Sequence, residues 1–149
     1  AGRAGRRLIM AGIVQDQEYY SEQVVPALDE RSVVYRGPVG GAARTNALGS
    51  ARALLHLINF DEPFGLSVVE ALACGTPVIG SAIDGLPSTI GGAGTAVQQG
   101  SAASLALAIA RFARDAGLRA SWRSGCAQRR EEMMSWSMVT EQWEKVLLG

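Results

Sequence analysis

The chain has 149 residues, of which 48% are hydrophobic and 19% are charged, a composition typical of one globular domain that can bury a substantial core. Its 14 basic and 14 acidic residues balance, so no overall charge attracts nucleic acid or an anionic membrane. A single histidine, a single lysine near the C-terminus and two distant cysteines exclude a multi-histidine metal site, a Walker-type phosphate lysine and a Cys-x-x-Cys motif.

The apolar runs are too short to cross a membrane. Runs such as residues 8–11 and 53–55 fall far below the roughly 18 residues that indicate a span. The run that follows Arg3, Arg6 and Arg7 is also too short for a signal peptide. We therefore expect a cytoplasmic protein with reduced thiols and no transmembrane segment.

Short apolar runs alternate with helical segments through the first two thirds of the chain. Strands are predicted at 7–12, 32–35, 53–58, 77–80 and 94–97, and helices between them at 19–28, 42–52 and 66–74. Strands with little polar alternation, separated by helices, indicate a parallel sheet covered on both faces. The predicted fold class is therefore α/β, a Rossmann-like doubly wound sheet of about five strands.

The last third of the chain is predicted to be helical, with helices at 101–114, 118–130 and 139–148. Trp122, Trp136 and Trp143 all lie there, and we expect them to anchor these helices by burying aromatic area. The charged cluster 129–132 is expected to form a solvated helix face.

The segment after the third predicted strand is the most informative part of the sequence. In an open α/β sheet, ligands bind beyond the carboxyl ends of the strands, where residues 59–65 lie. Pro63 holds Glu62 in an extended conformation, and Gly65 permits close approach of the backbone. The amides of residues 65–67 are expected to be free and to form an anion-binding helix N-terminus. Glu62 alone also fits an ordinary loop carboxylate.

Glu70 lies within an otherwise apolar helical segment, on the same side as Leu66 and Ala73 at about 100° per residue. An ionised carboxylate beside an apolar face needs a partner, because burying it alone is costly. The hydroxyls of a ribose or an arginine of the fold could each be that partner.

The residues from Glu62 to Ile79 resemble the hallmark of the retaining family 4 glycosyltransferases of GT-B fold. Glu-Pro-Phe-Gly-Leu opens the motif, and Glu-Ala-Leu-Ala-Cys-Gly-Thr-Pro-Val-Ile closes it. Residues 84–87 resemble the Gly-x-Pro-Glu loop of that family, and residues 37–44 resemble its Gly-x-Val followed five residues later by a basic residue. The resemblance covers nearly the whole chain, so residues 1–149 are expected to form the C-terminal, donor-binding domain, without its first strand.

The resemblance implies roles for the matching residues. Glu62 would be the catalytic residue that hydrogen-bonds the hydroxyls of the transferred sugar. The backbone of Phe64, Gly65 and Leu66, together with Ser67, would contact the sugar and the diphosphate of the donor.

The resemblance also implies the rest of the donor pocket. Glu70 would hold the ribose hydroxyls, Val39 and Arg44 would lie beside the nucleotide base, and Gly12 would begin a loop near the same pocket. Such enzymes need no metal or other cofactor, since helix-terminal amides and basic side chains stabilise the leaving diphosphate.

This sequence departs from the family pattern in several places. The Arg and Lys that neutralise the diphosphate in relatives have no counterpart here, and Arg3, Arg6 and Arg7 should not be substituted for them. Ser88 stands where relatives have a glutamate, and Leu57 where a proline is common.

Several other residues near the motif also have an expected role or position. His56, inside an apolar run, is expected to be structural, and Cys74 to belong to the core. Thr76, Ser81 and residues 84–86 are expected on or near the edge of the sheet where a ligand would bind.

Two functions follow from these observations. The first is the nucleotide-sugar-binding half of an enzyme that transfers a hexose from a nucleotide diphosphate sugar to an acceptor, with the N-terminal acceptor domain missing and this half alone inactive. The second is a non-catalytic α/β module that kept the fold and serves interaction or regulation. An epimerase or a phosphorylase of related architecture is a weaker third option, and the phosphorylase would need a lysine for its pyridoxal cofactor, for which Lys145 is badly placed. In either main case the strand at 7–12 is expected to present an exposed edge that favours self-association.

Overall fold

The computed structural model describes residues 6–62 and 64–148, so the expectations for Arg3 and Pro63 lie outside the described residues. The chain divides into two compact units, residues 1–44 and residues 45–149. No helix in the described part is long and apolar enough to span a membrane.

The first unit contains a two-stranded parallel sheet, β1 (Leu8–Met10) beside β2 (Val33–Tyr35). The helix predicted at 19–28 is present as three short segments: α1 (Gln17–Tyr19), a π-helical turn (Tyr20–Val24) and a 3-10 turn (Val25–Ala27). Asp16 caps α1, because its carboxylate accepts a hydrogen bond of 2.8 Å from the amide of Tyr19. A proline at position 26 has no amide hydrogen, which accounts for the loss of the regular α-helical pattern there.

Helix α2 (Gly41–Ser50) leads into the second unit, whose parallel sheet has the order β3 (Leu54–His56), β4 (Val78–Ser81), β5 (Gly94–Val97). Its helices are α3 (Leu66–Ala73), α4 (Leu86–Ile90), α5 (Ala102–Arg114), α6 (Ala116–Met134) and α7 (Trp136–Leu148). The predicted fold class is confirmed, and the predicted strands are all present. Their hydrogen bonding divides them into sheets of two and three strands.

The sheet of the second unit is covered on both faces. Successive side chains of a strand point to opposite faces, and Val78 and Ile79 on β4 accordingly enter two different clusters. Val78 packs with α3, α4 and Cys126 of α6, whereas Ile79 packs with Phe112 of α5 and Trp122 of α6. The core therefore lies on both sides of β4.

The expectation for the tryptophans is right for one and wrong for two. Trp122 is 9% exposed and its ring stacks on Phe112 with centroids 5.1 Å apart. Trp136 and Trp143, both on α7, are 84% and 61% exposed. Helical spacing predicts an apolar stripe, but it does not predict whether another element covers that stripe.

The expectation of a solvated face at 129–132 is wrong for Arg129. Its guanidinium donates to the carbonyl oxygen of Ser88 at 2.9 Å and to that of Thr89 at 3.2 Å, and it pairs with Glu132 at 2.7 Å. These carbonyls belong to α4, a helix of five residues that the sequence did not predict. Arg129 therefore joins α6 to α4.

Candidate functional site

The candidate site is built around Gly65, the residue that precedes α3. Gly65 has φ 78° and ψ 66°, a left-handed conformation that glycine adopts without strain. A Cβ atom at this position would lie 2.7 Å from Cδ2 of Leu86, whose side chain is fully buried. Both the backbone conformation and the packing therefore require glycine here.

Glu62 is half-buried and binds the loop that contains it. Its Oε1 accepts a hydrogen bond of 2.9 Å from the amide of Gly65. The expectation that this amide is free for a ligand is therefore wrong, because a carboxylate three residues away in the sequence already occupies it. A carboxylate has two oxygens and about four acceptor positions, so Glu62 keeps capacity to accept hydrogen bonds from sugar hydroxyls.

The carbonyl of Phe64 is held from another helix. The hydroxyl of Thr89, on α4, lies 3.2 Å from the carbonyl oxygens of both Phe64 and Gly85 and can donate its hydrogen to either. Thr89 is buried, so this bond is shielded from water. Sequence reasoning did not find Thr89, since it lies 25 residues beyond Phe64 in a segment for which no helix was predicted.

Helix α3 buries one face and exposes another. Its buried residues are Val68, Ala71 and Leu72. Leu66 is 71% exposed and Glu70 is half-buried, so the side of α3 on which both were predicted is not its buried face. Part of Glu70 therefore remains accessible to solvent.

Ser67, in the first turn of α3, contacts the histidine of β3. Its Oγ lies 3.0 Å from Nδ1 of His56. Burial lowers the pKa of His56 below its usual value, and the negative charge of Glu62 opposes this effect. The lowered pKa favours the neutral form of the imidazole at pH 7.

Thr76 and Ser81, both expected near the edge of the sheet, make structural contacts. The Oγ of Ser81 donates to the carbonyl of Ile58 and accepts from its amide, both at 3.0 Å, and so fixes the chain that leaves β3. Thr76 is buried and donates to the carbonyl of Leu48 at 2.6 Å. Cys74 is partly buried and is not in a disulfide.

Gly12, Val39 and Arg44 lie in the first unit. The amide of Gly12 donates to the carbonyl of Gly37 at 3.0 Å, and its own carbonyl accepts a hydrogen bond of 2.7 Å from the Tyr35 hydroxyl. Val39 is half-buried, and Arg44 lies in the first turn of α2 with its side chain exposed. The two hydrogen bonds of Gly12 fix the loop that follows β1 to the end of β2 and to the loop that follows it.

Groups of three or more His, Cys, Asp or Glu side chains that could hold a metal ion are absent from the described part of the chain. The charges of the second-unit site are carboxylates, and its other polar groups are backbone amides, a serine hydroxyl and a neutral imidazole. Carboxylates of this kind can accept hydrogen bonds from hydroxyl groups, and the amides at the start of a helix can donate to anionic oxygens.

The sequence profile of the family described as "Glycosyl transferases group 1" matches residues 3–129. The D-inositol 3-phosphate glycosyltransferase of Salinispora tropica is 37% identical over 97 residues, which are 64% of this chain and 20% of that protein. This chain therefore spans about a fifth of the length of the curated relative.

Solved structures have the same fold. The crystal structure of AviGT4, a glycosyltransferase involved in avilamycin A biosynthesis, is 28% identical and superposes with a TM-score of 0.76 over 100% of this chain and 46% of that one. Anabaena Alr3699/HepE in complex with UDP and glucose gives a TM-score of 0.78 at 22% identity, covering 95% of this chain and 40% of that one. At this identity the second likeness shows the fold alone.

Proposed function

The chain belongs to the glycosyl transferases group 1 family, and we propose that it is the nucleotide-sugar-binding half of a retaining family 4 glycosyltransferase that transfers a hexose to an acceptor. The observation that carries this proposal is the loop 62–67. A carboxylate for sugar hydroxyls there adjoins the first amides of a helix that can receive a diphosphate.

In this proposal, the loop binds the donor at its sugar and diphosphate. Glu62 accepts hydrogen bonds from the hydroxyls of the sugar, while the backbone of Phe64, Gly65 and Leu66 contacts the sugar and the diphosphate, with Ser67 beside them. The amides at the start of α3 and its dipole stabilise the charge that develops on the diphosphate as its bond to the sugar breaks. No metal or other cofactor is needed for that step.

Four further residues are assigned to the nucleoside. Glu70 receives the two ribose hydroxyls, which suits a half-buried acidic residue in the turn of α3 next to Ser67. Val39 and Arg44 are assigned to the base and Gly12 to the loop near it, on the resemblance of their segments to the family pattern alone. The acceptor is bound by a separate domain, so this half alone binds donor without transferring the sugar. The short coverage of the relatives supports this arrangement.

Nuclear magnetic resonance titration tests the proposal. Adding UDP, GDP or ADP, and then their sugars, to the ¹⁵N-labelled chain is expected to shift the amides of residues 62–70. If none of these ligands shifts them, the chain does not bind donor, and a non-catalytic α/β module becomes the better description. Replacing Glu70 with glutamine is expected to weaken binding of the nucleotide more than binding of glucose 1-phosphate. Equal losses would contradict the ribose role, and Glu131→Gln on α6 is the matched control.

The edge of β1 supports a further proposal, that two copies of the chain associate. Within the described residues β1 pairs with β2 on one side, and Ile9 is 50% exposed. An open strand edge with exposed apolar side chains favours pairing with another copy. Size-exclusion chromatography is expected to show concentration-dependent dimers, and a monomer at every concentration would refute this association.

A further inference from the structure

His56 has one ring nitrogen in a hydrogen bond and one without a partner. Nδ1 lies 3.0 Å from Oγ of Ser67. Nε2 is buried, and no hydrogen-bond partner for it is found among the described residues. A neutral imidazole carries one hydrogen on either nitrogen, and the hydrogen bond that the ring makes decides which nitrogen carries it.

The burial of Nε2 favours one tautomer. If Nε2 carried the hydrogen, a buried N–H donor would have no acceptor, an arrangement that folded proteins rarely contain. If Nδ1 carries it, the unpartnered group is only a lone pair, and Nδ1–H donates to Ser67. The unequal environments of the two nitrogens therefore place the hydrogen on Nδ1.

This tautomer fixes what the Ser67 hydroxyl can do. A serine oxygen that accepts a hydrogen bond from Nδ1–H keeps its own hydrogen for another acceptor. In the opposite tautomer the hydroxyl would donate to Nδ1 and would have no hydrogen to offer a ligand. Ser67 lies in the first turn of α3, where the helix dipole and the backbone amides also favour an anion.

We infer that His56 is a positioning residue that turns the Ser67 hydroxyl into a dedicated donor for a phosphate oxygen of the nucleotide. This inference rests on the proposed function, because it assumes that a diphosphate binds at the start of α3. His56 itself does not touch the ligand: it acts through Ser67, and it is neither an acid nor a base in the transfer.

The first test needs no ligand. His56 is the single histidine of the chain, so a ¹⁵N-histidine label gives one pair of ring resonances. At pH 8 Nδ1 is expected at the chemical shift of a protonated nitrogen and Nε2 at that of an unprotonated one. The reverse pattern would overturn the inference, whatever the chain binds.

The second test measures UDP affinity by calorimetry. Ser67→Ala is expected to weaken binding about tenfold, because a hydrogen bond to a charged group is lost. His56→Leu removes only the group that orients the hydroxyl and should weaken binding, but by less than Ser67→Ala does, and the double variant should weaken it no further than Ser67→Ala. His56→Asn, whose amide nitrogen can replace Nδ1 as the donor, should restore affinity to within about threefold of the unmodified chain.

The outcomes separate the two proposals. Unmodified chain that binds no UDP, GDP or ADP would overturn the proposed function and, with it, the ligand for Ser67. If the unmodified chain and the Ser67→Ala variant bind one of these nucleotides equally tightly, only the inference about His56 is overturned. Ser124→Ala, at an exposed position on α6, is the matched serine control and should bind like the unmodified chain.

Discussion

Replacing Gly65 with alanine tests whether packing, as well as backbone conformation, fixes the loop before α3. The left-handed conformation at φ 78° costs a residue with a Cβ about 1–2 kcal/mol. The added methyl group would also lie 2.7 Å from Cδ2 of Leu86 and 3.3 Å from Cγ2 of Val68, and overpacking of a core costs about 1–3 kcal/mol. The free energy of unfolding should therefore fall by about 2–5 kcal/mol in total.

Gly75, at the other end of α3, is a matched control. It has nearly the same backbone conformation, with φ 73°, but a Cβ there would meet nothing within 4 Å. Gly75 ends the helix in a Schellman motif, in which its amide donates to Leu72 and that of Thr76 donates to Ala71. Gly75→Ala should therefore cost only the conformational part, about 1–2 kcal/mol.

Urea unfolding followed by tryptophan fluorescence measures both variants, because the buried Trp122 reports on the second unit. The difference between the two variants is the contribution of packing, about 1–3 kcal/mol. If Gly65→Ala is no less stable than Gly75→Ala, the contact with Leu86 does not constrain the loop and the reasoning is refuted.

Three further predictions concern other parts of the chain. Arg129→Ala should lower the free energy of unfolding by about 1–3 kcal/mol, since the carbonyls of Ser88 and Thr89 lose a charged donor and the bond to Thr89 is partly buried, whereas Arg130→Ala, at an exposed position, should change it by less than about 0.5 kcal/mol; urea unfolding measures both. Trp122→Ala should cost about 3–5 kcal/mol and Trp143→Ala, with its ring 61% exposed, far less; equal losses in thermal unfolding would contradict the assignment of the core. A neighbouring serine hydroxyl, and then backbone amides, hold the pKa of Asp29 well below its usual range, so its stabilising effect is present above the unfolded pKa and is lost as pH falls through the folded pKa. An NMR titration should show this lowered pKa, and Asp29→Asn should remove that part of the pH dependence of stability.

The strands could be predicted from the sequence because their signal is local. The fifth strand was predicted at 94–97 and is observed at Gly94–Val97, bounded by glycine and polar residues. Helix α4 was missed because it has five residues and begins with Leu86 and a proline, which is too short for helical periodicity to be recognised. The helix predicted at 19–28 is not a continuous α-helix in the structure. The prediction rested on the helical spacing of apolar residues, which takes no account of the proline near the end of the segment.

The candidate site could be predicted only as far as it is contiguous. Residues 62–70 were singled out from their spacing and their resemblance to a family, and the structure adds the bond between Glu62 and Gly65. The contacts of Thr89 and Leu86 with this loop join segments more than twenty residues apart. No local pattern indicates such contacts, because they depend on how α4 packs beside α3.

The structure of this loop has a consequence for its proposed chemistry. A side-chain substitution leaves the chemistry of a backbone amide unchanged. The contribution of such an amide to ligand binding therefore depends on how firmly the chain holds it in position. Leu86 leaves no space for a side chain at Gly65, Thr89 holds the carbonyl of Phe64, and His56 contacts Ser67. None of these three belongs to the motif, yet each fixes an atom at the start of α3. The motif therefore supplies the groups that bind, while α4 and β3 determine where those groups lie, and substitutions in either element should change donor affinity without touching the donor.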